Sequence, residues 1–162
     1  MMAGSANLVD IVEAQAESPF IFPQIIAFFV FMVSAIAETN RTPFDMPEAE
    51  SELVSGFCTE YSSMQYALFF MAEYANMIVI ASITATLFLG GWSAPLHICI
   101  FTMIPGFVWL LLKVFALMFF FMWLRATFPR VRYDQLMYLG WKVLLPLALA
   151  NVVITGLVVV IF

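Results

Sequence analysis

Seven carboxylates fall between positions 38 and 73 of a chain that is 64% hydrophobic: Glu38, Asp45, Glu48, Glu50, Glu52, Glu60 and Glu73, of 11 acids in all. Carboxylates are costly near hydrocarbon, so such a cluster suggests protons, cations or a polar cavity. Asp45-Met46-Pro47-Glu48 reads as a helix start, with Asp45 as N-cap, Glu48 as its capping-box partner and Pro47 in the first turn. Gly56 would end that short helix. On it Glu48 and Glu52 share a face while Glu50 points elsewhere. In an extended chain all three would line one face. The plainer alternative is a solvated helix N-terminus whose acids only complement the dipole.

Two further charges sit inside apolar stretches. Glu73 is about two turns into one, and Lys113 is near the middle of another. Ionisable groups at such depth face a partner or a wet cavity. Burial penalises the charged form of a carboxyl, which suits a group that takes up and releases protons. For Lys113 a structural ion pair inside a bundle is the competing reading. A helix rises about 1.5 Å per residue, so the two charges differ in depth by about one turn and direct contact is within reach.

Other chemistry is weakly represented. His97 is alone in a short loop, and Cys58 and Cys99 are far apart and read as packing residues. There is no Gly-rich phosphate loop, nucleophile elbow or zinc pattern, so no metal site is expected. The six basic residues form no stripe, which argues against nucleic acid. The abundant Phe and Met read as packing or lipid-facing residues, although an aromatic chamber is compatible with a quinone. No basic n-region of a secretory signal begins the chain.

The elements that must position these groups are membrane helices. A mean hydropathy of +1.02, with 10% charged and 17% aromatic residues, describes an all-α polytopic membrane protein, a single membrane domain over 1–162. Four spans are expected, at 22–37, 66–89, 98–124 and 143–162, with residues 38–65 forming an acidic loop. The first is short for a hydrocarbon core that takes about 20 residues to cross. Pro23, Pro105 and Pro146 fall near span starts, where a missing N–H is tolerated. Arg41 follows span one, and Arg125, Arg130, Arg132 and Lys142 lie between spans three and four, while 90–96 lacks Lys and Arg. The positive-inside rule therefore puts both basic loops on the cytoplasmic or matrix side and the termini opposite. In the 1–20 segment, Leu8, Ile11 and Val12 beside Asp10, Glu13 and Glu17 fit a short amphipathic helix on the outer surface, or else a frayed terminus.

The stretch Ala37-Glu38-Thr39-Asn40-Arg41-Thr42-Pro43-Phe44-Asp45, continued by Pro47-Glu48-Ala49-Glu50-Ser51-Glu52-Leu53-Val54-Ser55-Gly56-Phe57, resembles a family signature. It looks like the acidic loop of the quinone-site membrane subunit of respiratory complex I, the H subunit of bacteria and subunit 1 of mitochondria. Glu60-Tyr61, Phe69-Phe70-Met71-Ala72-Glu73-Tyr74 and the run from Arg125 through Arg130-Val131-Arg132-Tyr133-Asp134-Gln135 match the same family, as does Leu89-Gly90-Gly91-Trp92. The resemblance covers essentially the whole chain. Family members are longer, with membrane helices before this stretch, so it is their C-terminal half that the chain resembles; a split gene and a portion of a longer chain both stay open.

The resemblance implies a function: a membrane subunit of the proton-translocating NADH:quinone oxidoreductase of the respiratory chain, in the bacterial cytoplasmic or mitochondrial inner membrane. Arg41, Asp45, Glu48, Glu50 and Glu52 would lie beside the quinone cavity. Glu38, Glu60, Glu73 and Lys113 would link that cavity to a proton-coupling path. Arg125, Arg130, Arg132 and Asp134 would dock the hydrophilic arm. Quinone would be the substrate, FMN and iron–sulfur clusters would belong to partner subunits, and this chain would carry no redox centre. Expected neighbours are other complex I membrane subunits, the N-terminal half of the family fold, and lipid. Competing expectations are a cation transporter or channel fragment with an acidic pathway, a structural anchor, and the related subunit of a membrane-bound hydrogenase.

Overall fold

A computed structural model of the chain describes residues 2–16, 18–39, 43–44, 61, 63–94, 105–129 and 131–161. All regular structure among them is helical. A surface helix α1 (Leu8–Ala14) leads into α2 (Ile25–Glu38), followed by α3 (Met64–Phe88) and α4 (Gly106–Thr127). The chain then enters a continuous rod made of α5 (Tyr133–Tyr138), a π-helical segment (Leu139–Leu144) and α6 (Leu145–Ile161).

Length and composition make three of these able to cross a membrane: α3 with 25 residues, α4 with 22 and the rod with 29. At about 1.5 Å per residue even α4 covers the roughly 30 Å of hydrocarbon. The 14 residues of α2 cover about 21 Å, so the first span is short, as its sequence implies. The fold is that of a polytopic helical membrane protein.

The rod differs from the expected fourth span. It begins at Tyr133, ten residues before 143, because Gln135 Oε1 accepts the Arg132 backbone N–H at 3.4 Å and starts a helix within the polar loop. Pro146 is therefore deep inside a helix and not in a first turn. A proline there removes one intrahelical bond and its ring crowds the preceding turn. The π-helical turn immediately before it, Leu139–Leu144, accommodates that crowding by widening the helix.

The core joins α2, α3 and α4. Met32 and Ala35 of α2 meet Met77, Ile80, Ala81 and Ala85 of α3 and Val114, Leu117 and Phe121 of α4. Ala81, Thr84 and Ala85 are wholly buried, and small residues at one helical face let α4 approach closely. The Thr84 hydroxyl is satisfied within its own helix, donating to Ile80 O at 2.7 Å. The rod packs on α2, yet none of its described residues is fully buried.

Helix α1 is docked and not frayed. Asn7 caps it, its Oδ1 accepting the Val9 N–H at 3.3 Å. Val12 and Gln15 on its inner face are 2% and 3% exposed, against the C-terminal end of α3.

Candidate functional site

Helix α2 ends at Glu38, and Thr39 closes the helix with its backbone N–H on Ala35 O. Thr39 Oγ1 donates to Ile36 O at 2.9 Å. The chain then returns at Pro43 and Phe44. Pro43 O accepts the Val131 N–H at 3.1 Å, so the segment after α2 touches the loop between α4 and α5. Phe44 is buried.

A cavity of about 430 Å³ opens between α2 and the rod at this level. Glu38 is on its wall with Ser34 and Ala37 of α2, facing Leu136, Leu139 and Gly140 of the rod. A side chain at Gly140 would meet nothing within 4 Å, so the π-helical turn leaves open space there. π-Turns recur at functional sites because they re-aim residues without ending the helix. Among the described residues of this mostly apolar wall Glu38 is the titratable one, and it is itself solvent-exposed.

Glu73 is half-buried on α3. Lys113 does not meet it. The register between α3 and α4 is set at the turn after α3, where Gly106 opens α4 beneath Trp92; a Cβ at Gly106 would lie 3.1 Å from Trp92 O. That fixes the start of α4 level with the end of α3. Lys113 Nζ reaches the turn after α3 and donates to Leu89 O at 2.6 Å, Gly91 O at 2.9 Å and Ser93 O at 2.7 Å. From Glu73 to Phe88 the helix climbs about 22 Å, not the single turn that comparison of the spans suggests.

Arg125 is in the last turn of α4, where a cation complements the helix C-terminus. Arg132 precedes α5 and Asp134 is in its first turn. All three are exposed, and Arg132 and Asp134 serve the start of that helix. Arg41, Asp45, Glu48, Glu50, Glu52, Glu60 and Arg130, with the helix expected after Asp45, lie outside the described residues. Among the described residues no three or more His, Cys, Asp or Glu converge.

Two polar devices escaped the reading of the sequence. Gln15 completes the apolar stripe of α1 and donates to Ile11 O and Thr86 O, while its Oε1 accepts the Phe20 and Gly90 N–H groups. A glutamine at the buried face of an amphipathic helix was the signal for it. Asn151 and Thr155, four apart in an apolar span, were another. Asn151 Nδ2 donates to Gln24 Oε1 at 3.2 Å and Gln24 Nε2 donates to Thr155 Oγ1 at 3.1 Å, joining the start of α2 to α6 beside a cavity of about 360 Å³.

The family model of NADH dehydrogenase matches residues 1–156. The chain belongs to the NADH dehydrogenase family. Its relatives include the H subunit of the NADH-quinone oxidoreductase of Magnetococcus marinus, 58% identical over 157 residues, covering 97% of this chain and 45% of that protein. An H subunit of the same enzyme from Geobacter metallireducens is 58% identical, covering 98% of this chain and 44% of its own length. The H subunit from Rhodospirillum rubrum is 58% identical, covering 96% and 47%. The chain thus spans about half the length of the curated relatives it matches. Membership in this family agrees with the resemblance of the acidic loop, and the names of these relatives join NADH to quinone.

Proposed function

We propose that this chain forms part of the quinone-site membrane subunit of a proton-translocating NADH:quinone oxidoreductase. The observation that carries this reading, beside family membership, is Glu38 on the wall of a mostly apolar cavity at the junction of α2, Pro43 and the rod. A quinone is an apolar body with a polar head, and an apolar pocket with few polar groups is the environment that holds such a molecule. Reduction of a quinone takes up protons, and a carboxyl group beside the cavity can donate one when protonated and be reprotonated as the carboxylate. Glu73, lower on α3 and half-buried, would carry the response onward into the membrane, with Arg41, Asp45, Glu48, Glu50, Glu52 and Glu60 completing the acidic side.

Electrons would arrive from flavin and iron–sulfur clusters held by partner subunits docked at Arg125, Arg130, Arg132 and Asp134. The chain's own residues bind, orient and exchange protons. The membrane would be the bacterial cytoplasmic or mitochondrial inner membrane, with both basic loops on the side where NADH is oxidised.

The test uses the full-length subunit in the assembled complex. Glu38→Gln and Glu73→Gln keep shape and remove the charge. Each is expected to lower NADH:quinone turnover about tenfold, or about 1.4 kcal/mol in the barrier. NADH oxidation by an artificial acceptor at the flavin is expected to stay unchanged. Wild-type quinone turnover in both variants would reject these roles.

A further inference from the structure

Three backbone carbonyls at the outer end of α3 converge on one point. Leu89 O, Gly91 O and Ser93 O lie 2.6, 2.9 and 2.7 Å from Lys113 Nζ. An ammonium has three N–H donors and no acceptor, so donors and acceptors match one to one. The distances are those of charge-assisted bonds. The side chain is 8% exposed.

The turn has reason to gather its carbonyls this way. A helix ends with carbonyls that lack intrahelical partners and with a partial negative charge. Gly90 and Gly91 adopt positive φ, 74° and 50°, which folds the chain back so that alternate carbonyls face α4. Gly91 packs directly beneath α1, where a Cβ would meet Val12 Cγ2 at 2.9 Å, and Gln15 occupies the Gly90 N–H from the same side. One wall of the turn is thus closed by α1, and the Leu89, Gly91 and Ser93 carbonyls face Lys113 of α4. Arginine would not serve: its planar fork presents donors in one plane, whereas these oxygens surround a point.

We propose that the carbonyl cradle of the Leu89–Ser93 turn is a cation-binding site whose resident ligand is the Lys113 ammonium, and that once emptied it takes a primary alkylammonium ion from solution. The recognition chemistry is three carbonyl oxygens around one charged N–H donor head, with an apolar slot between α3 and α4 for the alkyl stem. In this assignment Lys113 is a tethered ligand that locks α4 to α3 at their outer ends, remote from Glu38 and Glu73.

The experiment uses the full-length subunit in its assembled complex in lipid nanodiscs and reads no turnover, so it stands or falls apart from the quinone reading. In Lys113→Ala the missing atoms have the outline of n-propylammonium. Melting temperature is expected to fall and to recover by at least half on adding n-propylammonium. 1-Propanol, which fills the slot without charge, and tetramethylammonium, which has charge without N–H donors, are expected to restore little. Equal recovery with 1-propanol, or none with n-propylammonium, overturns the proposal. Lys113→Met guards against a complex that does not assemble with alanine. It fills the slot but leaves three carbonyls unpaired, so thiol labelling of Ser93→Cys from outside is expected to accelerate severalfold and to be insensitive to n-propylammonium. Unchanged labelling in that variant also overturns the proposal.

Discussion

Replacing Gly91 by alanine separates two costs that sequence alone would merge. Gly90 and Gly91 both have positive φ, and an L-residue there costs roughly 1–2 kcal/mol. At Gly90 the new Cβ meets Ser93 Cβ at 3.6 Å and Gln15 Cβ at 3.8 Å, which are ordinary contacts. At Gly91 it meets Val12 Cγ2 at 2.9 Å. Val12 is 2% exposed and β-branched, so it has little room to turn away. Overpacking of this kind costs a further ~1–3 kcal/mol. Gly90→Ala is therefore expected to lose about 1–2 kcal/mol and Gly91→Ala roughly 2–5 kcal/mol. Val12→Ala alone removes two methyl groups, about 1.6 kcal/mol at ~0.8 per buried carbon. Combined with Gly91→Ala it removes the atom that clashes, so the double variant should be more stable than the sum by roughly 1–3 kcal/mol. Denaturant unfolding of the full-length subunit in detergent micelles, followed by tryptophan fluorescence, provides the cycle. Equal losses at the two glycines, or strict additivity with Val12→Ala, would refute the claim that α1 is seated on Gly91.

Gln15→Leu leaves the Gly90 and Phe20 N–H groups without their acceptor; at roughly 1–3 kcal/mol for each buried orphan, α1 should detach and become sensitive to protease added from outside, and unchanged resistance would count against its role as the clamp. Asn151→Leu removes one of the two hydrogen bonds between α6 and Gln24 and leaves the one to Thr155; hydrogen bonds between membrane helices average only about 0.6 kcal/mol, so a small drop in melting temperature is expected and a collapse of assembly would contradict that scale. A cysteine probe at Ser93 should react with an impermeant reagent from outside while one at Thr127 is spared; the reverse pattern would invert the sidedness assigned to Glu38 and the basic loops.

Hydropathy and breaker residues alone determine that the apolar segments among the described residues are helical, because unpaired backbone groups are costly in hydrocarbon. The shortness of the first apolar segment and the amphipathic pattern of Leu8 to Glu17 were legible for the same reason: each depends on local composition. Family membership was legible in the contiguous acidic loop, even though most of that loop lies outside the described residues. What the sequence could not decide is which face of each helix turns inward. Helices α3 and α4 are apolar all round, so no periodic signal marks an interior face; packing chose the stripe where Ala81, Thr84 and Ala85 allow close approach. Register followed from contact and not from span ends. Gly106 under Trp92 sets α4 against α3, and Lys113 meets the carbonyls of the turn after α3 and not Glu73. The cavity at Glu38 likewise required the tertiary structure, since it exists only where the π-helical turn of the rod, with Gly140 facing open space, comes beside the end of α2.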